Sequence, residues 1–126
     1  LISQYQKVRA IVKQQVRVVE EYNRAAAMIN KDKNFSAQEL ITIMDVYAGI
    51  LQQSLQNVEG IVKVVTSFSL QMSDAARLQL IDQTKKNVDN NLTHLRAFTD
   101  QNITLSMQRT KNMIELNSVK RLYGIQ

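Results

Sequence analysis

No proline interrupts this chain, no cysteine can cross-link it and only three glycines punctuate it, while apolar residues recur every three or four positions in three successive stretches. Proline and glycine are the residues that break helices, and a 3-4 apolar recurrence is the surface pattern of a helix with one buried face. At 126 residues one hydrophobic core suffices, so the chain reads as a single domain. The expected fold class is all-α: an elongated three-helix up-down-up bundle over residues 1–126, with helices at about 2–30, 36–70 and 74–122.

In the first stretch Tyr5, Val8, Val12, Gln15, Val19, Tyr22, Ala26 and Ile29 alternate at three and four, and Ile11, Val16 and Val18 widen the stripe. The polar run Asn30–Asn34 ends it with turn-forming Asn and Asp. Ser36 and Glu39 then stand at the spacing of a capping box, with Phe35 and Leu40 placed as a hydrophobic staple, so a second helix starts near Ser36. Its stripe is Leu40, Met44, Tyr47, Leu51, Ser54, Val58, Ile61, Val65 and Phe68, flanked by Ile43, Ile50, Leu55 and Val62. The β-branched run Ile61–Thr66 keeps this helical phase. Gly49 and Gly60 lie inside the helix at a cost of about 1 kcal/mol each, which close packing of a neighbouring helix would explain.

Ser73 as N-cap and Asp74 in the first turn announce a third helix, carried by Leu78, Ile81, Val88, Leu92 and Leu95, with Lys85 interrupting the stripe. Beyond Leu95 two faces are apolar: Ile103, Met107 and Ile114 on one, Phe98, Leu105, Leu116, Val119 and Tyr123 on the other. Thr99–Asp100 is a candidate cap for a fourth helix, but no glycine or proline breaks the chain there, so one helix to about Leu122 is expected. It would reach roughly 75 Å against roughly 45 Å for the first two, either overhanging the bundle or kinking back. Gly124 reads as its stop, with Lys120 and Arg121 suiting the negative helix end.

The chemistry-bearing residues are few and scattered. With no cysteine, a disulfide scaffold, a thiolate zinc site and a cysteine nucleophile are all excluded. His94 is the sole histidine, with Asn90, Asn91 and Phe98 as its helical neighbours, and reads as a satisfied or exposed side chain. The acids are dispersed; Glu20 and Glu21 are adjacent and so point to different faces, and Asp82–Lys86 and Lys85–Asp89 are ordinary surface pairs. There is no glycine-rich phosphate loop and no nucleophile elbow. The five methionines read as core fillers, and Asn91-Leu92-Thr93 and Asn102-Ile103-Thr104 match the glycosylation acceptor pattern by coincidence in an Asn-rich chain. No enzyme, cofactor or metal is expected.

What the composition favours is contact with other molecules. Fourteen Gln and ten Asn imply wide, wet helix faces. The net charge of +5 is concentrated at the two ends of the sequence, which favours an anionic partner there, with a merely solvated face as the plainer reading. Arg9, Lys13, Arg17 and Arg24 form a basic ridge on the first helix that could follow a phosphate backbone or an acidic surface. A basic, partly aromatic distal segment, Arg109, Lys111, Lys120, Arg121 and Tyr123, has no evident core role if the third helix overhangs, and is the expected partner-binding set. Heptad stripes of this length can also pair between chains, so a homo-oligomer or generic dimeric coiled-coil scaffold stays open. No run approaches the roughly 18 apolar residues of a membrane span. The chain begins at Leu1, which reads as a processed or trimmed product.

Three segments carry a resemblance: Met72-Ser73-Asp74-Ala75-Ala76-Arg77-Leu78-Gln79-Leu80-Ile81-Asp82, then Ser106-Met107-Gln108-Arg109-Thr110-Lys111, then Val119-Lys120-Arg121-Leu122-Tyr123-Gly124. Together they resemble the C-terminal half of small helical conjugal-transfer proteins of Bacteroides-type conjugative elements, similar in role to minor pilus components of type IV secretion systems. The resemblance covers about half the chain and leaves everything before Met72 to pattern alone. It implies a secreted structural component acting by protein-protein interaction with subunits of a transfer complex. It also implies a periplasmic or cell-surface location after signal-peptide removal, the alternative being cytoplasmic, and offers no catalytic residues. The rival expectation is a nucleic-acid or anionic-surface binding module using the first-helix ridge.

Overall fold

The computed structural model describes residues 2–66 and 72–126. Among these the chain forms four α-helices and no strand: α1 (Ile2–Asn30), α2 (Ala37–Thr66), α3 (Asp74–Gln108) and α4 (Met113–Leu122). Phe68 and the last few residues expected in the second helix lie outside the described residues. The three long helices pack as an all-α bundle. α1 and α3 run in the same direction, with Lys7 on Asp82 and Glu21 on Arg96; α2 runs against them, with Tyr22 edge-on to Tyr47 and Ile11 sharing a cluster with Val58.

The helix starts follow from local capping. Glu39 N donates to Ser36 Oγ at 3.1 Å and Ser36 N donates back to Glu39 Oε1 at 2.9 Å, the reciprocal box that Ser36 and Glu39 encode. Phe35 and Leu40 enter one cluster as the staple requires. Ser73 Oγ accepts from Ala76 N at 3.1 Å and opens α3. At the far end Gly124 takes φ of 67°, a left-handed conformation that glycine adopts freely, and Ile125 N closes the turn on Lys120 O at 2.7 Å.

The long third helix is in fact two. α3 stops at Gln108, the chain turns through Arg109–Asn112, and α4 begins at Met113. The cause is a second capping pair: Glu115 N donates to Asn112 Oδ1 at 2.9 Å, and Lys111 N donates to Glu115 Oε2 at 2.8 Å. The turn brings Val119 and Tyr123 back onto the core, so the segment neither overhangs nor continues straight. This resolves the two apolar faces beyond Leu95, since Ile103 and Met107 from α3, Val119 and Leu122 from α4 and the capping Tyr123 meet in the same cluster. Thr99 and Asp100 lie within α3 and cap nothing.

Packing also rotates α1 from its expected phase. Ile11, Val18, Ala25 and Ile29 point between the two neighbouring helices and are buried, whereas Tyr5 is 63% exposed and Val12, Val16 and Val19 are also exposed. A helix apolar over more than one face buries the face that two neighbours share. Two apolar clusters result, one around Val18, Ile29, Tyr47, Leu92 and Leu95, the other around Ile11, Val58, Ile61, Ile81 and Val88. Between them lies a polar layer of buried Ser54 and Asn91. Asn57 Nδ2 donates to Asn91 Oδ1 at 3.1 Å, and Asn91 Nδ2 donates to Gln53 Oε1 at 3.3 Å. Gly49 and Gly60 have nothing within 4 Å of where a Cβ would stand, so close helix packing does not account for either.

Candidate interaction surfaces

The expected distal set divides into two kinds of residue. Arg109 and Tyr123 are part of the fold. The Arg109 guanidinium grips Glu39 bidentately at 2.8 and 2.6 Å, donates to Asn34 O at 2.7 Å and lies 5.7 Å from the Phe35 ring centre. Through it the end of α3 is fastened to the start of α2. Hydrogen bonding from Arg109, then from the Ser36 amide, holds the Glu39 carboxyl down at about 2. Tyr123 is buried, and its hydroxyl donates to Asp32 Oδ2 at 2.6 Å; burial first, then this bond, raises the phenol well above its ordinary value. Asp32 is itself buried and accepts from Asn34 N at 2.9 Å, so one carboxyl holds both the α1–α2 connection and Tyr123, the residue that caps the end of α4. Tyr123 therefore has the core role that an overhanging helix would have denied it.

Lys111 and Arg121 are exposed, Lys120 is half-buried, and none of the three makes an ion pair among the described residues. Beside them stand Met113 and Ile114, 66% and 78% exposed on the first turn of α4. An open groove runs between α4 and the α1–α2 connection, with Ile114, Val119 and Leu122 on one wall and Lys31 and Lys33 on the other. Sequence reading assigned Ile114 to a buried face; the turn at Arg109–Asn112 turns it outward.

On α1, Arg9, Lys13, Arg17 and Arg24 are all exposed and none is ion-paired among the described residues. Arg17 and Arg24 act at a distance on Glu21, whose carboxyl is lowered mainly by its hydrogen bond from Arg96. The ridge runs beside the exposed Val12, Val16 and Val19, a juxtaposition that sequence reading missed by placing Val12 and Val19 in the core. His94 is exposed on α3, and no group of three or more His, Cys, Asp or Glu that could hold a metal occurs among the described residues. Among the described residues no helix is long and apolar enough to cross a membrane.

These features define an all-α bundle bearing two kinds of open surface, an apolar one and a basic one. The chain matches no protein-family model, no curated protein and no solved structure.

Proposed function

We propose that this chain is a non-enzymatic structural component of a conjugative DNA-transfer apparatus of the type IV secretion kind, working by contact with other subunits at the periplasmic side or the cell surface. The observation that carries the contact role is the exposed apolar side chains of Met113 and Ile114 beside unpaired Lys111 and Arg121, at an end of the bundle that is otherwise tightly fastened. Exposed apolar groups rimmed by charge on a rigid scaffold are the usual makings of a protein-docking site. The transfer-apparatus assignment draws on the resemblance of Met72–Asp82, Ser106–Lys111 and Val119–Gly124.

The test is performed in donor cells. The full-length protein is fractionated, its mature N-terminus is read by mass spectrometry, and M113D/I114D is compared with the parent for DNA transfer and for cross-linking to envelope subunits. Recovery in the envelope, with transfer and cross-links lost in the variant, supports the proposal. Recovery in the cytoplasm with transfer unaffected overturns it.

A second reading is favoured by the four exposed, unpaired cations of α1: a module that binds nucleic acid or another anionic surface through Arg9, Lys13, Arg17 and Arg24. It predicts that duplex affinity falls with salt by about 0.9 log units per phosphate contact per log unit of salt. Binding that is absent, or indifferent to salt, ends it.

A further inference from the structure

α4 carries the two most exposed large apolar side chains among the described residues, Ile114 and then Met113. Ile114 stands as a ridge between two open grooves. One, of about 430 Å³, runs along the α1–α2 connection, with Val119 and Leu122 beside Ile114 on one wall and Lys31 and Lys33 on the other. The second, of about 450 Å³, lies on the far side of Ile114, lined by Lys120 and Arg121 of α4 and by Ile125 beyond it. None of these four cationic side chains is hydrogen-bonded or ion-paired among the described residues. The acids of the same end are already engaged. Asp32 is buried and accepts from Tyr123 and from Asn34 N, Glu115 Oε2 accepts from Lys111 N, and Glu39 is neutralised by Arg109. Both grooves are therefore left with a positive rim and an apolar centre.

We infer that this end holds an acidic amphipathic helix of a partner protein. Its apolar stripe packs over Ile114, Val119 and Leu122, and the Asp or Glu side chains flanking that stripe meet Lys31 and Lys33 on one side and Lys120 and Arg121 on the other. Other anionic occupants answer only part of the site. A nucleic-acid backbone would match the four cations but set Met113 and Ile114 against charged phosphates. A flat bilayer would touch Met113 and Ile114 but not Val119, which is 5% exposed and lies down the groove wall. α4 has 10 residues and is about 15 Å long, so about three turns of a partner helix lie along it. Such a contact falls at the small end of specific interfaces, where charge complementarity sets encounter rate and choice of partner. The Arg109–Glu39 and Tyr123–Asp32 bonds hold the grooves open before the partner arrives, which lowers the ordering cost of binding. The inference rests on the reading of Met113 and Ile114 as a contact site and not on the transfer-apparatus assignment.

Photo-crosslinking of the full-length protein in the cells that express it tests this. Benzoylphenylalanine replaces Ile114, which keeps the ridge apolar, or, as the off-site control, the exposed His94 of α3. The cross-linked partner peptide is sequenced by mass spectrometry. Expected from position 114, and not from position 94, is a partner segment with apolar residues at three- and four-residue spacing and Asp or Glu on both flanks. K31E/K33E and K120E/R121E, at unpaired positions, each lower the yield about tenfold with helical circular dichroism unchanged. The captured segment, made as a synthetic peptide, binds the purified chain with an affinity that falls as salt rises. A captured segment without an acidic excess, cross-links to nucleic acid or phospholipid, or a yield indifferent to both double reversals overturns the inference and leaves the contact reading standing. No product from position 114 overturns both.

Discussion

The two ends of this bundle are made from the same three helices by different means. At the end that holds α4 the cluster is aromatic and densely tied: Tyr47 packs edge-on between Tyr22 and Phe98, with ring centres 5.4 and 5.0 Å away. Thr99 spends its one proton on Leu95 O, so Tyr47 is the donor in the 2.6 Å bond between their hydroxyls. Asn34 donates to Ser106 Oγ, Tyr123 to Asp32 and Arg109 to Glu39, so connections as well as helices are fixed. At the other end the core is a smaller set of aliphatic residues, Ile11, Val58, Ile61, Ile81 and Val88, and among the described residues the α1–α3 ties there are exposed ones, Lys7 on Asp82, about half exposed on each side, and Gln4 Nε2 donating to Asp74 O at 3.4 Å. Apolar burial is non-directional, whereas buried hydrogen bonds penalise every arrangement that leaves them unmade. The α4 end is thus both more stable and more narrowly specified, and it is the natural rigid base for the exposed Met113 and Ile114.

Mutations ought to sort by end. Ile29→Ala in the aromatic cluster should cost about 4 kcal/mol, whereas the same deletion at the other end, Ile61→Ala, should cost about 2 kcal/mol. Urea denaturation measures both, and similar losses would erase the distinction. Tyr123→Phe leaves buried Asp32 without its hydroxyl donor and should cost about 2 kcal/mol, against under about 1 kcal/mol for Lys7→Ala at the opposite surface pair.

Acid and alkali should also act first on the α4 end. The Glu39 carboxyl is depressed from 4.5 to about 2 in the folded chain, so its contribution is fully present above 4.5 and disappears as the pH falls toward 2. Tyr123 is shifted the other way, from 10.0 upward, so its contribution is intact below pH 10 and declines above it. Denaturation midpoints against pH should fall on both flanks in the parent. The acid decline should flatten in Arg109→Met and the alkaline one in Tyr123→Phe; unchanged slopes would detach these groups from stability. The smallest effects are stabilising: Gly49→Ala and Gly60→Ala, with open space around each, should add about 0.5–1 kcal/mol apiece, Gly60→Ala at the weaker end.

Much of this architecture was legible in residue spacing. Helix boundaries at Ser36 and Ser73 are written in side chains that bond the amide three residues on, a local rule that tertiary contacts left alone. The break after Gln108 was hidden because neither glycine nor proline marks it, although Asn112 stands three before Glu115 in the same relation as Ser36 to Glu39. The phase of α1 was misread because its apolar residues cover more than one face, and only the placement of α2 and α3 decides which is buried. That ambiguity also concealed the exposure of Val12, Val16 and Val19. The role of Arg109 and Tyr123 could not be read locally, since their partners Glu39 and Asp32 lie far away in sequence and the chain reaches them only by turning back.

Hydrogen–deuterium exchange along the whole chain, read by mass spectrometry at low protein concentration, tests the contrast between the two ends most directly. Slowest exchange is predicted in residues 22–29, 40–51 and 92–107, with markedly faster exchange in 4–11, 58–65 and 75–84. Uniform protection along all three long helices, or slower exchange at the aliphatic end, would contradict it.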